Sequence, residues 1–210
     1  MIRKDIKSFT NSIPNGVKMV VATKYYDVDD LNVLLENGIK DYGENRVDSF
    51  LRKYDYFKGR GICWHFIGHL QRNKAKKVLN KIDYLHSLDS LELAKMIDEI
   101  RDEPLNTLIE VSINEEENKN GVKVSDLDNF VDKLLNYKNV HLVGLMMMAI
   151  DGSSIESLHE QFKKLRLVRN HLEEKFSIKL PELSMGMSHD YLVAIEEGAT
   201  MIRLGHIIGQ

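Results

Sequence analysis

Short β-branched or apolar runs alternate along this chain with amphipathic helical segments, and each pair is closed by a turn rich in glycine or asparagine. A strand needs a period of two and a surface helix a period near 3.6, so this alternation predicts repeated strand–helix units. An N-terminal helix is expected over about Ile2 to Asn11, followed by a first strand from Val17 to Thr23 and a helix from about Val28 to Glu36 that Gly38 stops. The second strand is placed at Gly38 to Tyr42 with a helix from about Arg46, and the third at Trp64 to Ile67 with a lysine-rich helix over Asn73 to Asn80. A fourth strand, Tyr84 to Ser87, precedes a helix that Asp89 or Ser90 could cap; a fifth, Thr107 to Ile113, leads through a polar loop to a helix near Ser125. The sixth, His141 to Met147, runs into a long helix from Ser154 to Lys175. The seventh, Glu182 to Met185, precedes a helix that Ser188 could cap and Gly198 stop, and the eighth is Met201 to Leu204.

Eight such units are the number at which parallel strands close on themselves, and roughly 23 residues per unit is compact but sufficient. The expected fold is therefore an α/β TIM barrel, (β/α)8, with a short N-terminal helix, formed by residues 1–210 as a single domain. An open doubly wound sheet, the competing arrangement, normally has five or six strands. In a barrel, function gathers in the loops at the carboxyl ends of the strands.

Composition narrows the partners. Lys and Arg number 29 against 32 acidic residues, a net charge of -3, which lacks the basic excess of a phosphate-backbone binder, so nucleic acid is not expected. The single cysteine, Cys63, excludes an intrachain disulfide and a cysteine-built metal site and points to a reducing, cytoplasmic setting. No apolar run resembles a signal peptide or approaches the ~20 residues of a membrane span, so a soluble, unprocessed protein is expected.

Lys24 follows the first apolar run with the parity of Val20 and Ala22, which predicts that it points inward at the barrel mouth. A lysine desolvated there becomes a nucleophile toward an aldehyde, whereas one just past the strand end is an ordinary surface residue. Gly186, Ser188, Gly205 and His206 fall in the loops after the seventh and eighth strands, where barrels of this class commonly bind phosphate through backbone N–H groups and a helix start. Arg203 on the eighth strand faces the same cavity and, if buried, needs a carboxylate, a phosphate or a heteroaromatic nitrogen. An amine for an aldehyde, an anion cradle and a donor for a ring nitrogen together describe pyridoxal 5′-phosphate.

The stretches ATK (22–24), GENRV (43–47), WHFIGHLQRNK (64–74), GLMMM (144–148), LSMGMSHD (183–190) and IRLG (202–205) resemble the pyridoxal phosphate homeostasis proteins, single-domain relatives of the alanine racemase barrel, over nearly the whole chain. The resemblance implies a Schiff base between Lys24 and the cofactor, Arg203 at the pyridine nitrogen, and Ser188, Gly205 and His206 near the phosphate. It also implies that Asn45, Ile67 and Met147 line the pocket. Where the family commonly has threonine after the glycine this chain has His206, whose backbone N–H is then the expected contact.

A carrier of the cofactor and an amino-acid racemase remain to be told apart. Racemisation needs a second acid or base opposite the lysine, which in alanine racemase another domain's dimer contact supplies and which this chain has no length to provide. A guanidinium at the ring nitrogen also has no proton to transfer near neutral pH, which makes the ring a weaker electron sink. The expectation is a monomeric, non-catalytic protein of vitamin B6 homeostasis whose partners are the cofactor and apo forms of enzymes that use it. His65 and His69 are four apart, but the first lies on a strand and no glutamate follows it, so no metal site is expected. Met146 to Met148 read as soft core packing, the basic run Gln71 to Lys77 as a solvated helix face, and Glu115 to Glu117 as a solvated turn.

Overall fold

The computed structural model describes residues 1–114 and 120–209; Glu115, Glu116 and Glu117 lie outside the described residues. Among the described residues there are nine strands: β1 Lys18–Ala22, β2 Asp41–Glu44, β3 Cys63–Phe66, β4 Tyr84–Leu88, β5 Leu105–Ser112, β6 Val122–Lys123, β7 Val140–Met146, β8 Glu182–Ser184 and β9 Met201–Leu204. They are ordered β4-β3-β2-β1-β9-β8-β7-β5, and the further pairing of β4 with β5 closes the ring. Every ladder is parallel, and β6 is a two-residue strand that flanks β5 outside the ring. The expected closed barrel of eight parallel strands is thus present, and the open-sheet alternative is excluded by its closure.

The helices are α1 Ile6–Ser12, α2 Val28–Glu36, α3 Val47–Phe57, α4 Arg72–Ala75, α5 Leu91–Ile100, α6 Leu127–Leu134, α7 Ile155–Phe176 and α8 Tyr191–Glu196. After β9 the chain makes only a short 3₁₀ turn, His206–Ile208. The N-terminal segment runs beside that turn: Arg3 N–H donates to Ile208 O at 3.0 Å, Ile2 bridges Gly209, and Phe9 of α1 packs edge-on against Tyr191 of α8.

Strand alternation divides the core into two layers. Met19 and Val21 join the large core between sheet and helices, whereas Val20 and Ala22 pack with Ile67 inside the ring, as do Leu108, Val143 and Met146 in a separate interior group. The remaining interior is polar, with His65, His86, Ser184 and Arg203 all buried.

Three local expectations are corrected. The second strand begins at Asp41, not Gly38, because Gly38 has a φ of +80° as the residue that terminates α2 and so cannot start an extended run. The lysine-rich helix is only four residues, α4, followed by turns and a 3₁₀ segment at Leu79–Lys81. The helix after β8 starts at Tyr191, so Ser188 does not cap it. No helix of the described residues is long and apolar enough to cross a membrane.

Candidate cofactor cavity

A cavity of about 740 Å³ opens at the carboxyl ends of the strands, within the size range of small-molecule sites. Its wall includes Lys24, Asn45, Ile67, Ser188, Arg203, Gly205 and His206, so seven of the eight residues expected at the site meet there. Met147 is the exception. Its side chain is fully buried in the outer core, and the cavity wall is formed instead by Met148, the next residue in the loop after β7.

Lys24 does not extend β1. The strand ends at Ala22, and Thr23–Tyr25 form a 3₁₀ turn that leaves Lys24 exposed at the cavity wall, its Nζ 4.8 Å from the centre of the Tyr25 ring. The expected burial of this lysine is therefore corrected: the protein alone does not desolvate it. What holds the turn is a buried ion pair that the sequence reading missed. Glu44, fully buried at the end of β2, accepts from Lys53 Nζ, from Thr23 Oγ1 at 2.9 Å, from Ser49 Oγ at 3.0 Å and from the Asn45 N–H at 3.1 Å. Lys53 also donates to the Thr23 carbonyl at 2.6 Å, which fixes the residue before Lys24 from both its main chain and its side chain. Lys53 occupies a buried position of α3 along with Val47, Phe50 and Phe57, so a lysine in register with an apolar helix face was the available signal.

Arg203 is 5% exposed, and its partners are two neutral oxygens: Ser184 Oγ at 2.6 Å and the Met147 carbonyl at 2.8 Å. Asp190 and Glu110 raise its proton affinity only at longer range, and burial dominates, pulling the guanidinium down to about 10. Burial likewise pushes the Glu110 carboxyl above its usual range. A desolvated cation with neutral partners leaves electrostatic room for an acceptor from the cavity.

A hydrogen-bonded chain continues from this arginine through the barrel. His86 Nδ1 lies 2.8 Å from Ser184 Oγ, His86 Nε2 lies 2.9 Å from His65 Nδ1, and His65 Nε2 lies 3.1 Å from Asp41 Oδ1. The guanidinium can only donate, so Ser184 accepts from it and passes its own proton to His86 Nδ1. Burial and the neighbouring His65 hold His86 well below its usual value, and in its neutral form the remaining proton sits on Nε2 and is donated to His65. His65 then donates from Nε2 to Asp41, so one direction runs from the cavity to the opposite end of the strands.

The anion-binding side is built by Ser188 and the residues after β9. Ser188 Oγ accepts the N–H groups of Gly205 at 3.2 Å and Ile207 at 3.4 Å, which ties the two loops expected to share a phosphate. Tyr26 donates to the Gly205 carbonyl at 2.6 Å, and burial raises that phenol to about 12. A Cβ on Gly205 would lie 2.5 Å from the Tyr25 ring, so a larger residue there would have to displace that exposed side chain. The His206 side chain is exposed and lies against Tyr25, ring centres 4.1 Å apart and planes tilted by 42°, which leaves the backbone as its contribution to the loop. Asn45 leaves an acceptor open at the cavity: its buried Oδ1 has no hydrogen-bond partner among the described residues, and the residue lines the cavity.

Comparison with known proteins agrees with this geometry. The family model for the alanine racemase N-terminal domain matches residues 1–209. The pyridoxal phosphate homeostasis protein of Aquifex aeolicus is 40% identical, covering 92% of this chain and 86% of that protein, and the one of Synechocystis is 37% identical, covering 94% and 92%. The structure of PipY from Synechococcus elongatus with PLP bound is 28% identical with a TM-score of 0.90, covering 98% of this chain and 100% of that one. Alanine racemase of Clostridium difficile matches 99% of this chain with 57% of its own at a TM-score of 0.80, and at 16% identity it speaks for the fold alone.

Proposed function

Since the chain belongs to the alanine racemase N-terminal domain family, and within it to the pyridoxal phosphate homeostasis proteins, we propose that its cavity binds pyridoxal 5′-phosphate and that the protein holds and delivers this cofactor without turning over amino acids. The observation that carries the reading is the meeting in one cavity of Lys24, Arg203, the Ser188–Gly205 loop pair and an Asn45 amide oxygen without a partner. Each matches one part of the molecule: Lys24 the aldehyde carbon, Arg203 the ring nitrogen, and the Ser188 hydroxyl with the His206 backbone N–H the phosphate. When bound, the cofactor supplies a reversible covalent attachment point for an amine.

The chain's own residues favour retention over chemistry. The Glu44–Lys53 pair orients the turn that presents Lys24, and the exposed position of that lysine lets the cofactor itself provide the desolvation that a nucleophilic amine requires. Arg203 offers a permanent positive charge and no transferable proton, which suits recognition of an unprotonated ring nitrogen. The cavity wall also contains Tyr25, His189 and His206, groups able to exchange protons, which is the observation that keeps a racemase as the second reading.

Purified protein incubated with pyridoxal phosphate should develop a visible absorption band distinct from the free cofactor and show no sustained exchange between L- and D-alanine. Arg203→Ala should shift that band and weaken binding. Enzyme-like exchange would favour the racemase, and an unchanged spectrum and affinity in Arg203→Ala would remove that residue from the site.

A further inference from the structure

The opposite end of the barrel holds a cluster that cofactor binding does not use. Asp41 opens β2, Cys63 opens β3, and the two are register partners. His65 lies two residues further along β3 and shares the face of Cys63. His65 Nε2 stands 3.1 Å from Asp41 Oδ1 and 3.4 Å from Cys63 Sγ, and the three donor atoms lie within 4.8 Å of one another. Donors sharing one tetrahedral ion at ordinary bond lengths sit roughly 3.4–3.6 Å apart, close to both distances measured from His65 Nε2.

Three further features favour an ion over a plain hydrogen-bonded trio. The His65 ring is held in place, stacked on Tyr84 at 4.7 Å with its Nδ1 against His86, so Nε2 is the nitrogen left to face the cluster. With its proton on Nδ1, His65 would use the same contact to donate to His86, the outer fixation characteristic of metal-binding histidines. The nearby Lys18 is paired with Glu182 at 2.6 Å, so a dication with a thiolate and a carboxylate would close the local charge. Finally, Cys63 is half-buried and the Asp41 side chain is 33% exposed, which admits the ion and a water.

We propose that Asp41, Cys63 and His65 form a site for a zinc-class divalent cation, completed by water, at the amino-terminal end of the barrel strands. A thiolate and an imidazole select zinc over magnesium or calcium. On binding, the Cys63 thiol releases one proton to solvent, while His65 keeps its proton by moving it from Nε2 to Nδ1. His86 then moves its own proton from Nε2 to Nδ1, so that His65 donates to His86 Nε2 and His86 donates to Ser184 Oγ, whose hydroxyl proton turns away from His86; this links the site to Ser184 and Arg203. The earlier exclusion of a cysteine-built site still leaves room for a mixed one, and His69, four residues on, turns away to pair with Asp89.

The test uses the full chain stripped with chelator and free of pyridoxal phosphate, so its outcome is independent of the cofactor reading. Cobalt(II) should bind at one equivalent with release of one proton and a thiolate-to-cobalt charge-transfer band, and zinc should displace it without further proton release. Cys63→Ser should abolish that band and weaken zinc binding at least about tenfold, Asp41→Asn should weaken binding while keeping the band, and His69→Ala should change neither. Since Cys63 is the single cysteine, zinc should also slow its alkylation by iodoacetamide in the unmutated chain, a readout that needs no variant to fold. Absence of the cobalt band together with unprotected alkylation would overturn the proposal, as would equal zinc affinity in folded Cys63→Ser.

Discussion

The two ends of the barrel solve opposite problems with similar residue types. At the amino-terminal end, Lys18 is matched by Glu182 and Asp41 by His65, so charges meet charges or hydrogen bonds within the protein. At the carboxyl end, the arginine has only neutral partners, an asparagine oxygen has none, and the lysine stands exposed on a turn instead of inside the wall. The cavity thus leaves polar groups open toward its interior, whereas at the opposite end Lys18 and Asp41 find their partners within the protein. What connects the two is the chain from Arg203 through Ser184, His86 and His65 to Asp41.

Experiments can break this contrast at several strengths. The largest effect is expected for Lys24→Ala, which should abolish the visible cofactor band while changing folding stability by less than about 0.5 kcal/mol, as for other exposed side chains. A band that survives this substitution would move the attachment elsewhere. Lys53→Ala should do the reverse: leaving Glu44 buried and unpaired should cost about 3 kcal/mol or more in urea denaturation. A loss under about 1 kcal/mol would show that the pair is not what holds the Lys24 turn.

The interior chain is tested by pH. His86 is held neutral by burial, with a folded value well below the 6.5 at which the unfolded chain titrates, so the stability it contributes is full above about 6.5 and is lost as pH falls. Stability should therefore decline between pH 6.5 and 5 with a slope bounded by ~1.4 kcal/mol per pH unit for this group, and His86→Gln should flatten the decline. An identical profile in the variant would assign the decline to other groups. The smallest effect is expected for Ser188→Ala, where loss of one hydroxyl bridging two loop N–H groups should cost about 1 kcal/mol by thermal or urea unfolding. A cost near zero would mean that the loops hold each other without it.

The closed ring was legible because its strands and turns alternate with clear punctuation. β9 begins and ends where the apolar run Met201 to Leu204 predicts, between Thr200 and Gly205. β2 was not, because its residues are Asp41, Tyr42, Gly43 and Glu44, and its two carboxylates are matched by His65 on the next strand and Lys53 on the next helix, pairings that only the fold brings about. The meeting of Lys24 with Arg203 followed from barrel closure, which makes β9 the neighbour of β1. The fine positions did not follow: Lys24 leaves the strand for a 3₁₀ turn, Met147 yields the wall to Met148, and Ser188 bridges loops instead of capping α8. Each is decided by a single residue's turn or parity, which periodicity does not resolve.

The central claim is that Lys24 is the covalent anchor of the cavity. Borohydride reduction of the pyridoxal phosphate-loaded chain, followed by proteolysis and peptide mass mapping, tests it most directly. A single phosphopyridoxyl group on the peptide carrying Lys24 is the predicted result; label on another lysine, or none after saturation with the cofactor, would contradict it.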